Sequence, residues 1–309
     1  MPMSRRGGVS CRGSSEAGLP ERIANALTVD VEEYYHGYEF EAALGVDGLR
    51  RLPSRVVGQT QRLLDVLDAH RARGTFFTLG VVAQRHPRLA REIVERGHEL
   101  ASHGWDHTPV FRLGPAGFRA DVRRAKHALE QASGRLVRGY RAPNYSIRRD
   151  TPWAFSVLVE EDFVYDSSMY PLVHDRYGFP NAPRFPHIAR SVDGIDFWEV
   201  PVGTARFAGV NLPLGGGFFR LFPAALVHGA IASVNTRERR PVVFYVHPWE
   251  LDPGQPRPRM TFVQRFRHYT GLAAAERKLT RLLAAFSFAS IETTFDEVRP
   301  ARRAVVRAS

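Results

Sequence analysis

The 309-residue chain contains a single cysteine, Cys11, so no disulfide can form within it and no thiolate cage can hold a metal; any bound ion takes nitrogen and oxygen ligands. No apolar run approaches the ~18 residues that a membrane-spanning helix requires, and the first 25 residues lack the apolar stretch of a secretion signal. Both absences point to a cytoplasmic protein without a transmembrane segment, acting at most against the inner face of the membrane. No internal repeat is present, which excludes solenoids. Nor is there a basic stripe interleaved with aromatics. Of the net charge of +11, residues 1–22 (four Arg, two Glu) and 299–309 (four Arg, no acid) supply +6, leaving +5 for the body. No nucleic-acid partner is expected, although the Arg-rich tails are candidates for contact with anionic headgroups.

What is present is an ordinary globular core. Apolar residues make up 44% of the chain, and from residue 25 onward short apolar runs alternate with segments of helical spacing. Strands are expected at Ala26 to Val31, Gly74 to Leu79, Gly97 to Ser102, Arg138 to Arg141, Phe163 to Asp166, Phe197 to Pro201, Val242 to His247 and Phe288 to Thr293. Helices are expected at Val56 to Ala69, Val81 to Arg96, Pro115 to Ala132, Thr151 to Glu161, Pro223 to Asn235 and Ala273 to Ala285. Such alternation favours parallel pairing through right-handed crossovers, hence an α/β barrel. Residues 1–24, dominated by Gly, Ser and Arg, read as a disordered leader, 25–298 as the folded domain and 299–309 as a basic tail. The stretch Tyr170 to Asp196 reads as a long ordered loop or an insertion, and Gly215 to Gly217 as a turn.

Titratable residues recur where apolar strands end: Asp30 and Glu32, then His103, Arg141, Asp166 and His247. In a parallel barrel these ends converge on one rim, where barrel enzymes keep their active sites. His103 and His107, four apart, can meet around one ion on a helical turn or in a tight loop, and a carboxylate from Asp30-Val31-Glu32, with Glu33 as a rival, completes a hydrolytic donor set with open positions. Asp30 reads as the base toward water, His247 as the acid toward a leaving amine, Arg141 as the cation holding Asp30, and a backbone N–H near Asn144 and Tyr145 as an oxyanion donor. Tyr145 and Trp249 read as core or rim packing, or as rings on which a ligand could stack; Trp105 reads as packing.

Thr28-Val29-Asp30-Val31-Glu32, Ser102 to His107, Arg141-Ala142-Pro143-Asn144-Tyr145 and Phe244 to Glu250 occur in the order of the motifs of the NodB-type polysaccharide deacetylases, carbohydrate esterase family 4, and the chain resembles that family over residues 26–298. The Gly-rich segment Leu214 to Arg220 and the His-Pro-Trp-Glu ending are similar to a branch found with bacterial exopolysaccharide and exosortase loci. The resemblance implies a distorted (β/α) barrel of about seven strands, a divalent ion, most simply Zn2+, and N-deacetylation of hexosamines in an exopolysaccharide or its precursor. By position it makes Asp30 the general base, Glu32, His103 and His107 the metal ligands, His247 the general acid, Arg141 the residue orienting the base, and Asp166 an acid tuning the histidine. The chain departs from the family in separating its acids by Val31 and in carrying Tyr245 where Leu is usual. Rival expectations are a small-molecule amide hydrolase on the same scaffold and a catalytically silent glycan-binding protein.

Overall fold

The computed structural model describes residues 23–174, 177–192 and 194–298; Cys11, the basic tail and all but the end of the leader lie outside the described residues. The strands are β1 (Ala24–Val31), β2 (Thr75–Thr78), β3 (Glu99–Ser102), β4 (Gly139–Tyr140), β5 (Tyr165–Asp166), β6 (His187–Val192), β7 (Ile195–Glu199), β8 (Thr204–Phe207), β9 (Val210–Pro213), β10 (Val243–Val246) and β11 (Ser287–Ala289). Seven of them run parallel in the order β10-β1-β2-β3-β4-β5-β7. β6 adds antiparallel to β7, and β11 pairs with the first residues of β1.

Burial explains this order. Every residue of β1 after Ala24 is buried, as a parallel strand covered on both faces requires. Its outward side chains meet helices with matching stripes: Val56–Ala69 buries Val56, Leu63, Leu64 and Leu67, at the spacing that keeps them on one face.

The barrel closes without a regular ladder. Beyond β7 the chain continues extended, Val200 N–H donating to the Asp166 carbonyl and Val202 N–H to that of Met169, until Gly203 N–H reaches the Val243 carbonyl of β10 at 2.8 Å. A Cβ at Gly203 would lie 2.6 Å from that oxygen. Glycine is what lets the two backbones meet.

Several expectations are corrected. The helix expected over Val81 to Arg96 is two, Gly80–Arg85 and Pro87–Glu95, because Pro87 cannot donate to the preceding turn and instead starts a new helix. The last strand stops at Ala289, where Ser290 caps a turn of helix by accepting Thr293 N–H. The stretch expected to be a loop, Tyr170 to Asp196, contains β6 and the start of β7. Gly216 does not sit in a turn but opens the helix Gly216–Leu221. Three elements went unread: the β8–β9 hairpin, the helix Tyr38–Leu49 with its break at Gly45, and the helix Phe262–Tyr269.

Candidate active site

The strand ends do converge. Asp30 is the last residue but one of β1 and Glu32 follows the strand; His103 follows β3, Arg141 follows β4 and His247 follows β10. All but Arg141 line one cleft of ≈ 630 Å³, with His107, Asn144, Tyr145 and Trp249.

His103 and His107 meet in a tight loop rather than on a helix. Gly104 and His107 both adopt left-handed backbone, with φ of 77° and 72°. Asp106 closes the turn by accepting from the Thr108 hydroxyl at 2.6 Å. The first two amides of the helix Gly80–Arg85 donate to the Gly104 and Trp105 carbonyls, and Asp121 accepts Trp105 N–H. Trp105 itself is buried beneath the Arg124 guanidinium, which is packing, as expected.

Glu32, His103 and His107 each present a ligand atom within 4.8 Å of the others. The His103 Nδ1 lies 2.8 Å from the Arg141 carbonyl, which can only accept, so Nδ1 carries the proton and Nε2 is bare toward the cleft. Glu32 Oε2 lies 2.5 Å from His107 Nε2 and 3.8 Å from His103 Nε2. Burial alone would raise the Glu32 carboxyl, but His107, His103 and His247 outweigh it and hold it well below the usual range. Two imidazole nitrogens and one ionised oxygen, with the His103 tautomer fixed from outside, form a donor set that fits a divalent ion. Glu33 faces elsewhere: Ser54 Oγ and Arg55 N–H bond its carboxylate. His36, unnoticed in the sequence, stacks on His107 at 5.0 Å, and burial first, then His107, push it down to about 3, so it is neutral at physiological pH.

Beside this set lies an acid–base pair. Arg141 is fully buried; its guanidinium donates to Asp30 Oδ1 at 2.8 Å, Thr28 Oγ1 at 2.9 Å, Ser167 Oγ at 2.8 Å and the Ser167 carbonyl at 3.0 Å. The other Asp30 oxygen faces His247 Nε2 at 3.9 Å. On the far side of that ring, Nδ1 lies 3.4 Å from Glu250 Oε2. Burial disfavours a charged imidazole here, yet Glu250, Glu32 and Asp30 overcome it and push His247 up to about 9.

Two expectations change. The acid against His247 is Glu250; Asp166 is bonded by Ser168 N–H and Oγ and faces Glu199, whose carboxyl burial and the Asp166 charge push well above the usual range. The i, i+3 spacing of His247 and Glu250 was the available signal. Trp249 has no free face for a sugar, because His247 stacks on it at 5.0 Å and His268 at 4.7 Å. Its indole N–H donates instead to Glu32 Oε1 at 3.2 Å, leaving Oε2 toward the histidines. Tyr145 N–H donates to the Ala142 carbonyl at 3.0 Å, and Asn144 lines the cleft. Both are left-handed, with φ of 55° and 52°, in the turn after Pro143.

A parallel barrel whose rim gathers a two-histidine, one-carboxylate donor set next to an aspartate–arginine pair and a cationic histidine is a candidate metal-dependent hydrolase. Residues 47–158 match the family model described as "Polysaccharide deacetylase", and residues 167–296 match "Domain of unknown function (DUF3473)". Over residues 47–158 the chain is thus similar to the polysaccharide deacetylases. Both matched segments contribute strands to the one sheet, β2 to β4 from the first and β6, β7, β10 and β11 from the second. Among similar proteins, a chitooligosaccharide deacetylase of Bradyrhizobium sp. is 39% identical over 85 residues, 27% of this chain and 39% of the relative. A peptidoglycan-N-acetylglucosamine deacetylase of Bacillus cereus is 26% identical over 84 residues, 27% of this chain and 30% of the relative. The matches thus span less than half the length of these curated relatives. A crystal structure from Mycobacterium smegmatis, provisionally described as a polysaccharide deacetylase, superposes with a TM-score of 0.58 at 22% identity, covering 94% of this chain and 95% of that one; it supports the fold.

Proposed function

We propose that this chain is a metal-dependent carbohydrate N-deacetylase, of the branch associated with exopolysaccharide and exosortase loci, removing acetyl groups from hexosamine residues of a bacterial exopolysaccharide or its precursor. Residues 25–298 are its catalytic domain. The observation that carries the reading is Asp30, fixed by Arg141 on one oxygen and facing cationic His247 on the other, beside the Glu32–His103–His107 set. That set would hold a divalent ion, for which Zn2+ suits two nitrogens and one oxygen, and the ion supplies Lewis acidity to the acetyl carbonyl and to attacking water.

The chain's own groups account for the proton traffic. Asp30 accepts the proton of the attacking water, and the Arg141 guanidinium holds it in place. A backbone N–H at Asn144, in the cleft lining, would stabilise the tetrahedral oxyanion. His247, protonated at neutral pH, gives its proton to the amine nitrogen, which cannot leave as an anion. A cleft that opens to solvent and is lined by Tyr38, Tyr145, Tyr177 and Tyr245 favours a glycan over a small sealed-in amide. The relatives' names, which specify chitooligosaccharide and peptidoglycan N-acetylglucosamine, support the same substrate class. The helices of the described residues include none long and apolar enough to cross a membrane.

The test is acetate release from N-acetylglucosamine oligomers by metal-stripped and zinc-reloaded protein, beside Asp30→Asn and His103→Ala. Release that requires metal and disappears in both variants is expected. Stoichiometric metal binding without release would move the substrate to small amides or the protein to a silent glycan-binding role.

A further inference from the structure

The mouth of the cleft is apolar in a way that sugars do not explain. Of the ten exposed large apolar side chains among the described residues, five line it: Val173, Leu221, Phe262, Val263 and Phe266. Phe262 is 81% exposed and Val173 85%. Scattered exposed apolar residues are normal, but clustering around one opening marks a surface with a partner. Three of the five are aliphatic, and an aliphatic side chain has no ring with which to stack on a sugar.

The helix Phe262–Tyr269 supplies three of these residues and is turned inside out. Of its eight residues only His268 is buried, while Phe262, Val263 and Phe266 face solvent. It is nevertheless built to stay there: Thr261 caps it through Gln264, and Arg220 binds the carbonyls of Arg267, His268 and Thr270 at its far end. Interleaved with the apolar residues are Arg257, Arg259, Arg265 and Arg267, all exposed, and the stretch from Pro253 to Ala275 contains no acid. On the helix packed against it, Tyr38–Leu49, Glu39 is buried and Glu41 is paired with Arg112 at 2.9 Å.

We propose that this rim is a docking surface for an anionic phospholipid bilayer, into whose interface Phe262, Val263 and Phe266 insert while the four arginines meet phosphate headgroups. Exposed aromatic and aliphatic side chains held among arginines on a rigid helix match the two demands of an interface, apolar burial and cation–phosphate attraction. Docking in this orientation would set the cleft directly over the headgroup layer. The surface is distinct from the basic tails, and its use requires no turnover.

The experiment is co-sedimentation of the full chain with phosphatidylglycerol/phosphatidylcholine vesicles and with phosphatidylcholine vesicles alone. It compares the natural sequence, F262S/F266S, R265S/R267S and a tail variant, R302S/R303S/R307S. Binding to the anionic vesicles is expected to fall about tenfold or more in each rim variant and to survive largely in the tail variant. Thermal melts identical to the parent keep a loss from being unfolding, which is the expected result for side chains that touch solvent. No binding, binding indifferent to F262S/F266S, or loss confined to the tail variant overturns the proposal. So does a dimer by light scattering that F262S/F266S dissociates, because the rim would then cover a second copy. Since vesicle binding is read without catalysis, a negative result leaves the deacetylase reading untouched, and failed acetate release leaves this one untouched.

Discussion

Glu250 Oε2 lies 3.4 Å from the Nδ1 of His247, three residues upstream, and accepts the His247 backbone N–H at 3.0 Å. One carboxylate therefore fixes both the ring and the chain that carries it. Burial would raise this carboxyl, but His247 and Arg220 hold it down at about 2, so it stays ionised and keeps His247 protonated up to about 9.

The first expectation concerns pH. A general acid must be protonated, so activity falls as pH rises through the His247 pKa, near 9. Glu250→Gln removes the nearest negative charge and lets that pKa fall toward the ordinary value near 6.5, moving the alkaline limb of the kcat/KM profile to lower pH. The same raised pKa stabilises the fold fully below the unfolded value and ceases to do so as pH rises through 9. A profile unchanged in Glu250→Gln would dissociate Glu250 from the acid.

A second expectation concerns Arg220, the far end of the Gly-rich segment. Its Nε donates to Glu250 Oε1 at 2.7 Å, and Nη1 donates to the His268 and Thr270 carbonyls at 2.7 Å each. Arg220→Ala would leave a buried carboxylate and these carbonyls without their donor, a loss of about 3–5 kcal/mol in denaturant unfolding. Arg220→Met in combination with Glu250→Gln should recover part of that stability while leaving activity impaired. Equal losses in Arg220→Ala and in the double variant would mean that the ion pair is not the origin.

The third expectation concerns Trp249. Trp249→Phe keeps a ring between His247 and His268 but removes the N–H that anchors Glu32 Oε1. Zinc affinity, read by competition with a chelating dye, should weaken by about 10–100-fold, the usual effect of losing such a supporting bond. Glu33→Gln should leave the affinity unchanged, because Ser54 and Arg55 occupy that carboxylate; Glu32→Gln should not. A larger effect at Glu33 than at Glu32 would exchange their roles.

How far the sequence could be read follows from what each residue answers to. Asp30, His103, Arg141 and His247 were legible because an apolar run leading into a polar residue is a local signal, and a parallel sheet makes all such ends neighbours. The roles of Trp249 and Asp166 were not, because they depend on what lies beside them in space. His268 covers Trp249 from a helix whose apolar side chains face outward, so its spacing gives no inward stripe to read. The β8–β9 hairpin turns at Ala208 and Gly209, both left-handed, within a stretch rich in glycine and proline. Pro87 is plain in the sequence, but whether a proline kinks a helix or starts a new one depends on the tertiary partners of the following turn.

The pairing of β10 with β1 and of β7 with β5, closed by Gly203 against Val243, means that the segment at 47–158 is not a self-sufficient module to which the 167–296 segment is merely appended. The second segment is the stave that finishes the vessel, and it also delivers His247 and Glu250. A fragment ending near residue 166 would keep Asp30, Glu32 and both ligand histidines, but would present the bare edges of β1 and β5, surfaces that recruit other strands. For this chain, solubility and chemistry are inherited together or not at all.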